Sequence, residues 1–259
     1  MKLFNSEANN RKIKAFNEAQ AKGEYRPYLS ASFMSAGTRS IFKCPKTGRD
    51  ILLLSQTEKH GYINLIYQPN VIEIKEQYAL DLQITLEICE QERWIHPRDH
   101  ETGELKVCTT DLLVIVSDEN GRQARLAYSF KYQVNLDEDW RTDQKLKLEA
   151  LYWDRFDITF DLVERMHISK MKAYNLINLS AWYQHSLADD LIDMFVRVFL
   201  TQVKITPLAA LTNLLRDAGN VLEITTRQAN VLFANCVLRL KIKLDLSRKL
   251  EYHQPVRLL

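Results

Sequence analysis

The sequence predicts an α/β (α+β) protein, with a mixed sheet flanked by helices over residues 1–168 and a mostly helical domain over residues 169–259. Three observations predict it. From about residue 51 to residue 163, short runs rich in Val, Ile, Leu and aromatics alternate with segments of helical spacing. Two of those runs, Thr109–Val116 and Arg125–Lys131, flank Asp118-Glu119-Asn120-Gly121-Arg122, which is hairpin-turn chemistry. Beyond about residue 168 apolar stripes at helical spacing take over.

In chain order, a short helix is expected near Arg11–Lys22, stopped by Gly23. Tyr25–Gly48, with Pro27, Gly37, Pro45 and Gly48, reads as loops with short strands. Arg39, Lys43, Lys46 and Arg49 there can touch DNA phosphates or stand as solvated surface. Ile51–Tyr67 opens as a strand and becomes a helix capped by Ser55. Val71–Tyr78 and Leu82–Cys89 both read as strands, and Asp143–Trp153 as a helix with Leu146, Leu148, Leu151 and Tyr152 largely on one side. Ile158–Val163 reads as a buried strand. In the C-terminal part, Ala188–Val203 is an apolar helix and Leu208–Asp217 a second one ending at Gly219. A third runs from the Thr225 cap to Leu240. Lys241–Leu246 and Pro255–Leu258 are expected to form a small wing, which makes this domain winged-helix-like. Its recognition helix would present Arg227, Gln228, Asn230 and Asn235.

The hairpin carries the chemistry. With its turn centred near Asn120, residues whose numbers sum to about 240 lie opposite one another. Asp111 then faces Ser129, and Lys131 lies on the same face one pleat further along. A two-residue loop would instead oppose Asp111 to Phe130, so the expectation requires an odd-length loop or a bulge. Upstream, Ser55-Gln56-Thr57-Glu58 opens a helix and supplies a second carboxylate. Spaced like this, the residues look like the site of a restriction-type, metal-dependent DNA endonuclease, and the strands framed by helices fit a restriction-endonuclease-like core. Phosphodiester hydrolysis needs an activated water and neutralisation of developing oxyanions, and Mg²⁺ serves both with few protein oxygens. Asp111 would be the central ligand, Glu58 the second and the Phe130 carbonyl a third, with Lys131 holding the water and meeting the phosphate. Each residue also has a structural reading. Ser55-x-x-Glu58 spells a capping box, Asp111 is a strand-start acid, and Lys131 is a charge that protects an edge.

The chain resembles the TnsA family, the endonuclease subunit of heteromeric cut-and-paste transposition systems. The resemblance rests on Glu58 opening a helix that leads into Gln68-Pro69-Asn70-Val71-Ile72-Glu73-Ile74-Lys75-Glu76-Gln77-Tyr78. It continues through His96-Pro97-Arg98-Asp99-His100-Glu101-Thr102-Gly103-Glu104, then Thr109-Thr110-Asp111, and Leu148-Glu149-Ala150-Leu151-Tyr152-Trp153. Its specific motifs cover roughly residues 50–165. Residue by residue, it implies Glu58, Asp111 and Lys131 as the catalytic set. Ser129 stands where many restriction-like nucleases carry an acid or amide, a departure that leaves the number of metals open; Glu149 is a candidate to compensate. The resemblance further implies Mg²⁺ with Mn²⁺ as a substitute, double-stranded DNA of transposon ends as substrate, and a separate transposase. It also implies a regulatory AAA+ ATPase contacted by the C-terminal domain, and a bacterial, cytoplasmic protein associated with the nucleoid during transposition. The expected product is a cut at the 5′ ends of the element.

Composition is ordinary for a globular protein, and no apolar run approaches the roughly 20 residues of a membrane span. Cys44, Cys89, Cys108 and Cys236 have no paired spacing, so neither zinc nor a disulfide framework is expected. His96 and His100 fall on a loop rather than a metal-binding helix face. The net charge of +2 hides +7 over residues 1–49, +5 over residues 227–259 and −10 between them. Basic ends around an acidic centre suit a nucleic-acid binder with a negative metal site. Two rivals remain: a free-standing restriction or repair nuclease, and a non-catalytic DNA-binding assembly module.

Overall fold

The hairpin turn sets the frame of the sheet. In the computed structural model, which describes residues 7–29, 38–132 and 140–259, β4 (Thr109–Ser117) and β5 (Gln123–Lys131) pair antiparallel from Ser117–Gln123 to Leu112–Tyr128. Every pair sums to 240, as expected. The loop has the required odd length, because Asp118 N donates to Arg122 O at 2.9 Å and encloses three residues. Gly121 takes φ 77°, and Asp118 Oδ1 accepts from Asn120 N and Arg122 N.

The sheet order is β3-β4-β5-β6. β3 (Val71–Ala79) runs antiparallel to β4, and β6 (Thr159–Glu164) runs parallel to β5. A parallel neighbour requires a crossover, and α4 (Trp140–Asp154) lies between β5 and β6 in the chain. β6 is the edge strand and none of its residues is buried. The expectation of a buried strand there is therefore corrected: the apolar run covers an edge of the sheet.

A second correction concerns Leu82–Cys89. Leu82, Ile84, Leu86 and Ile88 alternate like a strand, yet the segment is α3 (Leu82–Gln91). Asp81 caps it by accepting from Gln83 N and Ile84 N, and Thr85, Ile88 and Cys89 face inward at helical spacing. α3 and α4 pack on the sheet through Leu80, Ile88, Cys89, Leu113, Ala127, Leu148, Tyr152 and Trp153. α1 (Glu7–Ala21) adds Phe16 against Tyr25, Tyr28 and Tyr78, and Gly23 follows it at φ 73°. A separate hairpin, β1 (Ser40–Lys43) with β2 (Asp50–Leu53), precedes α2 (Gln56–Ile66).

The chain divides into two compact units. One is Met1–Lys43, Arg49–Tyr62 and Asn70–Ile168, and the other is Cys44–Gly48, Ile63–Pro69 and Ser169–Leu259. The second is helical. It contains α5 (Lys170–Ser180, capped by Ser169), α6 (Asp189–Ile205), α7 (Leu211–Val221) and α8 (Thr226–Leu238). Its core stacks Phe195 on Phe199, and Phe233 meets Phe199 at a tilt of 46°. α8 begins with a complete Thr225/Gln228 capping box and is buried from Leu232 to Leu238.

Three expectations change in this unit. Asn235 does not face outward: it is fully buried, donates to Trp182 O and Val231 O, and accepts from Gln184 N. Gly219 does not end α7. It sits inside the helix, where a Cβ would stand 3.0 Å from Ile224 O as the chain turns toward α8. The wing reduces to one antiparallel bridge, Leu244–Leu258, flanked by Asp245 N→Arg257 O and Leu259 N→Lys243 O. Among the described residues no helix is long and apolar enough to cross a membrane, and all four cysteines are free thiols.

Candidate active site

β2 delivers Leu54 and Ser55 to the start of α2. Ser55 Oγ accepts from Glu58 N at 3.1 Å, which is half of a capping box. The other half is displaced by one residue, since Glu58 Oε2 accepts from Leu54 N at 2.9 Å. Glu58 thus closes the helix end, and it is also buried beside the sheet, where Gln77 Nε2 donates to the same oxygen at 3.2 Å.

Gln77 had no role in the sequence reading. It lies inside β3 with φ 49° and is 2% exposed. The other non-glycine residues at positive φ (Arg93, Asp157, Glu223 and Leu240) all follow helices, where such a residue closes the last turn. Among the described residues Gln77 alone breaks a strand this way, in a conformation that costs about 1 kcal/mol or more. The consequence shows on both strands. Glu76 turns to Arg49, whereas Tyr78 packs on Trp153, although residues two apart on a regular strand share a face. On β4, Thr110 and Leu113 both reach α4 although three apart. Asp111, opposite Gln77 in the β3–β4 register, sits at that reversal.

Asp111 Oδ2 accepts from Phe130 N at 2.7 Å, and the Gln77 side chain lies close enough to favour its charged form. Burial raises the Asp111 pKa, while the Lys131 charge, the Phe130 N–H and Gln77 pull it down. Glu58 is pushed up to about 8, first by burial and then by the charge of Asp111. Glu149 behaves alike: burial and then Asp111 push it up to about 8, against Ser129, Lys131 and Thr110. The structure thus brings Glu58, Glu149 and Lys131 each within electrostatic reach of Asp111.

Ser129 takes a different task from the acid or amide it replaces. Its Oγ donates to Glu149 Oε2 at 2.6 Å, and Thr110 Oγ1 donates to the same oxygen at 3.2 Å. Trp153 Nε1 in turn donates to Thr110 Oγ1 at 2.8 Å. Thr110 and Trp153 were not foreseen, although Trp153 stands four residues after Glu149, one helical turn on. The contact between Phe130 and Asp111 runs through the amide N–H, and the Phe130 ring packs under Gly61 of α2, where a Cβ would overlap it.

The donor set suits a hard divalent cation: carboxylates raised by burial and, for Glu58 and Glu149, also by the charge of Asp111 are the groups that such an ion would stabilise. Among the described residues, no three His, Cys, Asp or Glu side chains converge as ligands, so the fit rests on two carboxylates, a carbonyl and water. Of the basic residues expected at DNA, Arg39 and Lys43 are exposed, and Lys46 Nζ donates to Gln68 O at 2.8 Å in the second unit. Arg49 grips the fully buried Glu76 with two bonds of 2.8 and 2.7 Å. His96 is held between Pro97 O and Thr85 Oγ1, and burial lowers its pKa, so it stays a neutral structural side chain.

Residues 68–165 match the model of the TnsA-like endonuclease N-terminal family, a stretch that includes Asp111, Ser129, Lys131 and Glu149 and begins after Glu58. The chain is 30% identical over 154 residues to the transposon Tn7 transposition protein TnsA of Escherichia coli, covering 59% of this chain and 55% of that protein. It therefore spans about half the length of the curated relative it matches. Through residues 68–165 this chain is similar to the TnsA-like endonuclease N-terminal family.

Proposed function

We propose that the chain is a metal-dependent DNA endonuclease that cuts the 5′ ends of a transposon, acting with a separate transposase and a regulatory AAA+ ATPase. The observation that supports this best is Asp111, joined to Phe130 beside Lys131 and sharing its field with Glu58 and Glu149. The family match supplies the endonuclease and transposition context. On this reading residues 1–168 are a restriction-endonuclease-like catalytic domain, and residues 169–259 a winged-helix-like partner-binding domain.

Asp111, Glu58 and the Phe130 carbonyl would hold Mg²⁺, or Mn²⁺ in its place; when bound, that ion supplies charge for the phosphate oxygens and makes water easier to deprotonate. Lys131 orients the attacking water and meets the scissile phosphate. The water oxygen bonds to phosphorus as the opposite P–O bond breaks. Glu149, held by Ser129 and Thr110, fixes the field around Asp111 and is a candidate further ligand. Gln77 positions Glu58 and Asp111 together. Arg39 and Lys43 are proposed to meet DNA phosphates, with Lys46 and Arg49 contributing less because their head groups are engaged.

Strand-resolved cleavage of labelled transposon-end DNA in Mg²⁺, with the co-encoded transposase and ATPase, tests this. Cuts at the 5′ ends are expected to vanish in Asp111→Ala while 3′ cuts persist. Robust cutting by the chain alone would favour a free-standing nuclease, and unchanged products in the variant would favour an assembly module.

A further inference from the structure

A second concave site lies in the first unit, on the loop that joins α3 to β4 and on the first turns of α4. Its volume is about 270 Å³, near the lower end of the roughly 300–1,000 Å³ typical of small-ligand pockets. Its floor is apolar, from Cys89 and Leu148 of the core. Trp94 and Trp140 stand on its walls, and Trp140 is 59% exposed although aromatic rings of that size normally bury. Arg98, Lys106, Arg141 and Lys145 line it as well, and among the described residues no lining residue is acidic. The Arg141 guanidinium already lies over the Trp140 ring at 5.4 Å.

The wall is rigid before any ligand arrives. Arg98 bridges Leu105, Lys106 N donates to Pro97 O at 2.9 Å, and Asp99 Oδ1 accepts from Glu101 N and Thr102 N. Arg98 Nη1 donates to Gly103 O at 2.8 Å, which engages its guanidinium with the loop itself. A pocket lined by two tryptophans and four cations matches a ligand with a flat apolar face and negative charge beside it. An unpaired nucleotide has that chemistry. A duplex keeps its base faces stacked against one another.

We propose that this pocket binds an unpaired nucleotide of DNA, stacking its base on Trp140 and holding the flanking phosphates with Lys106 and Lys145. The inference rests on the nuclease reading only in taking DNA as the polyanion. The binding site is distinct from the carboxylate cluster, although Leu148 in its floor precedes Glu149 in α4.

The test is fluorescence anisotropy of a labelled oligothymidylate of about 12 nucleotides, within the ~4–16-nucleotide footprint of such grooves, titrated with the full chain in EDTA. Trp140→Ala is expected to weaken binding about 10-fold, and Trp140→Phe to restore most of it because the ring remains. The double variant Lys106→Glu, Lys145→Glu is expected to flatten the salt dependence by about 0.7 in slope for each phosphate that it no longer neutralises. Absence of binding by wild type, equal binding by Trp140→Ala, or equal competition by duplex DNA or polyglutamate overturns the proposal. An Asp111→Ala chain that still binds in a Trp140-dependent way supports the pocket even if no cleavage is ever seen. A chain that cuts DNA without such binding overturns the pocket and leaves the nuclease reading standing.

Discussion

Phe130 donates its amide hydrogen to Asp111 Oδ2 at 2.7 Å, where the β4–β5 register ends at Leu112–Tyr128. A side chain has thus taken over the next rung of the ladder, and the residue beside Lys131 is tied to the proposed central carboxylate. Two variants separate structure from chemistry here. Asp111→Asn keeps an acceptor oxygen, so its loss of stability is expected to stay below about 1 kcal/mol. Asp111→Ala leaves the Phe130 amide without its acceptor, at a cost of about 1–3 kcal/mol. Both are expected to lower cleavage by a hundredfold or more. Urea denaturation and single-turnover rates check this, and an active Asp111→Asn would remove Asp111 from the reaction.

Gly61 is the second lock on the site. An alanine in a helix normally stabilises by nearly 1 kcal/mol relative to glycine, but the Phe130 ring fills the space a Cβ needs. Gly61→Ala is therefore expected to destabilise by about 1–3 kcal/mol and to reduce cleavage by shifting α2, which carries Glu58. Adding Phe130→Leu should recover part of the stability. A double-mutant cycle with no coupling would contradict this packing.

Gln77 is expected to respond in an unusual order. Gln77→Gly relieves the left-handed backbone while losing the bond to Glu58, whereas Gln77→Ala keeps the strain and loses the bond. The alanine variant should be the less stable of the two by about 1 kcal/mol, with cleavage reduced in both. Thermal denaturation of the pair decides it, and an alanine variant as stable and active as wild type would show that Gln77 only fills space.

The buried carboxylates also set a pH dependence. Glu149 titrates near 8 in the fold, far above the ordinary glutamate value, so the folded chain retains a proton that the unfolded chain has released. Stability from this group is full below about pH 4.3 and falls as pH rises to about 8, by up to about 1.4 kcal/mol per pH unit. In EDTA the urea midpoint should decline from pH 6 to pH 8, and Glu149→Gln should decline less and be more stable at pH 8. A midpoint rising over that range in wild type would contradict the burial of Glu149.

Much of this was legible because local chemistry decided it. Asn120-Gly121 marked the turn, and the odd loop length that the placement of Asp111 and Lys131 required is the one found. The Thr225 cap announced α8 in the same way, although Gln228, read as an outward-facing side chain, completes its capping box. α3 was misread because Leu82, Ile84, Leu86 and Ile88 satisfy period 2, while the deciding signal was the Asp81 cap outside the run. Asn235 was misread because an amide on a helix looks like a reading head until the carbonyl of Trp182 is found beside it. The left-handed turn at Gln77 has no local signal, since glutamine has no preference for it and only the tertiary setting holds it there. The role of Ser129 was likewise invisible, because its partner Glu149 lies twenty residues away on another element.

The central claim is that Asp111 organises a cation site within a proton-loaded carboxylate cluster. Isothermal titration of Mn²⁺ into wild type and Asp111→Ala, in two buffers of different ionisation heat at pH 7, tests it directly. With Glu58 and Glu149 titrating near 8, binding to wild type should release protons and give buffer-dependent heats, and the variant should show neither. Equal heats in wild type and Asp111→Ala would contradict the account.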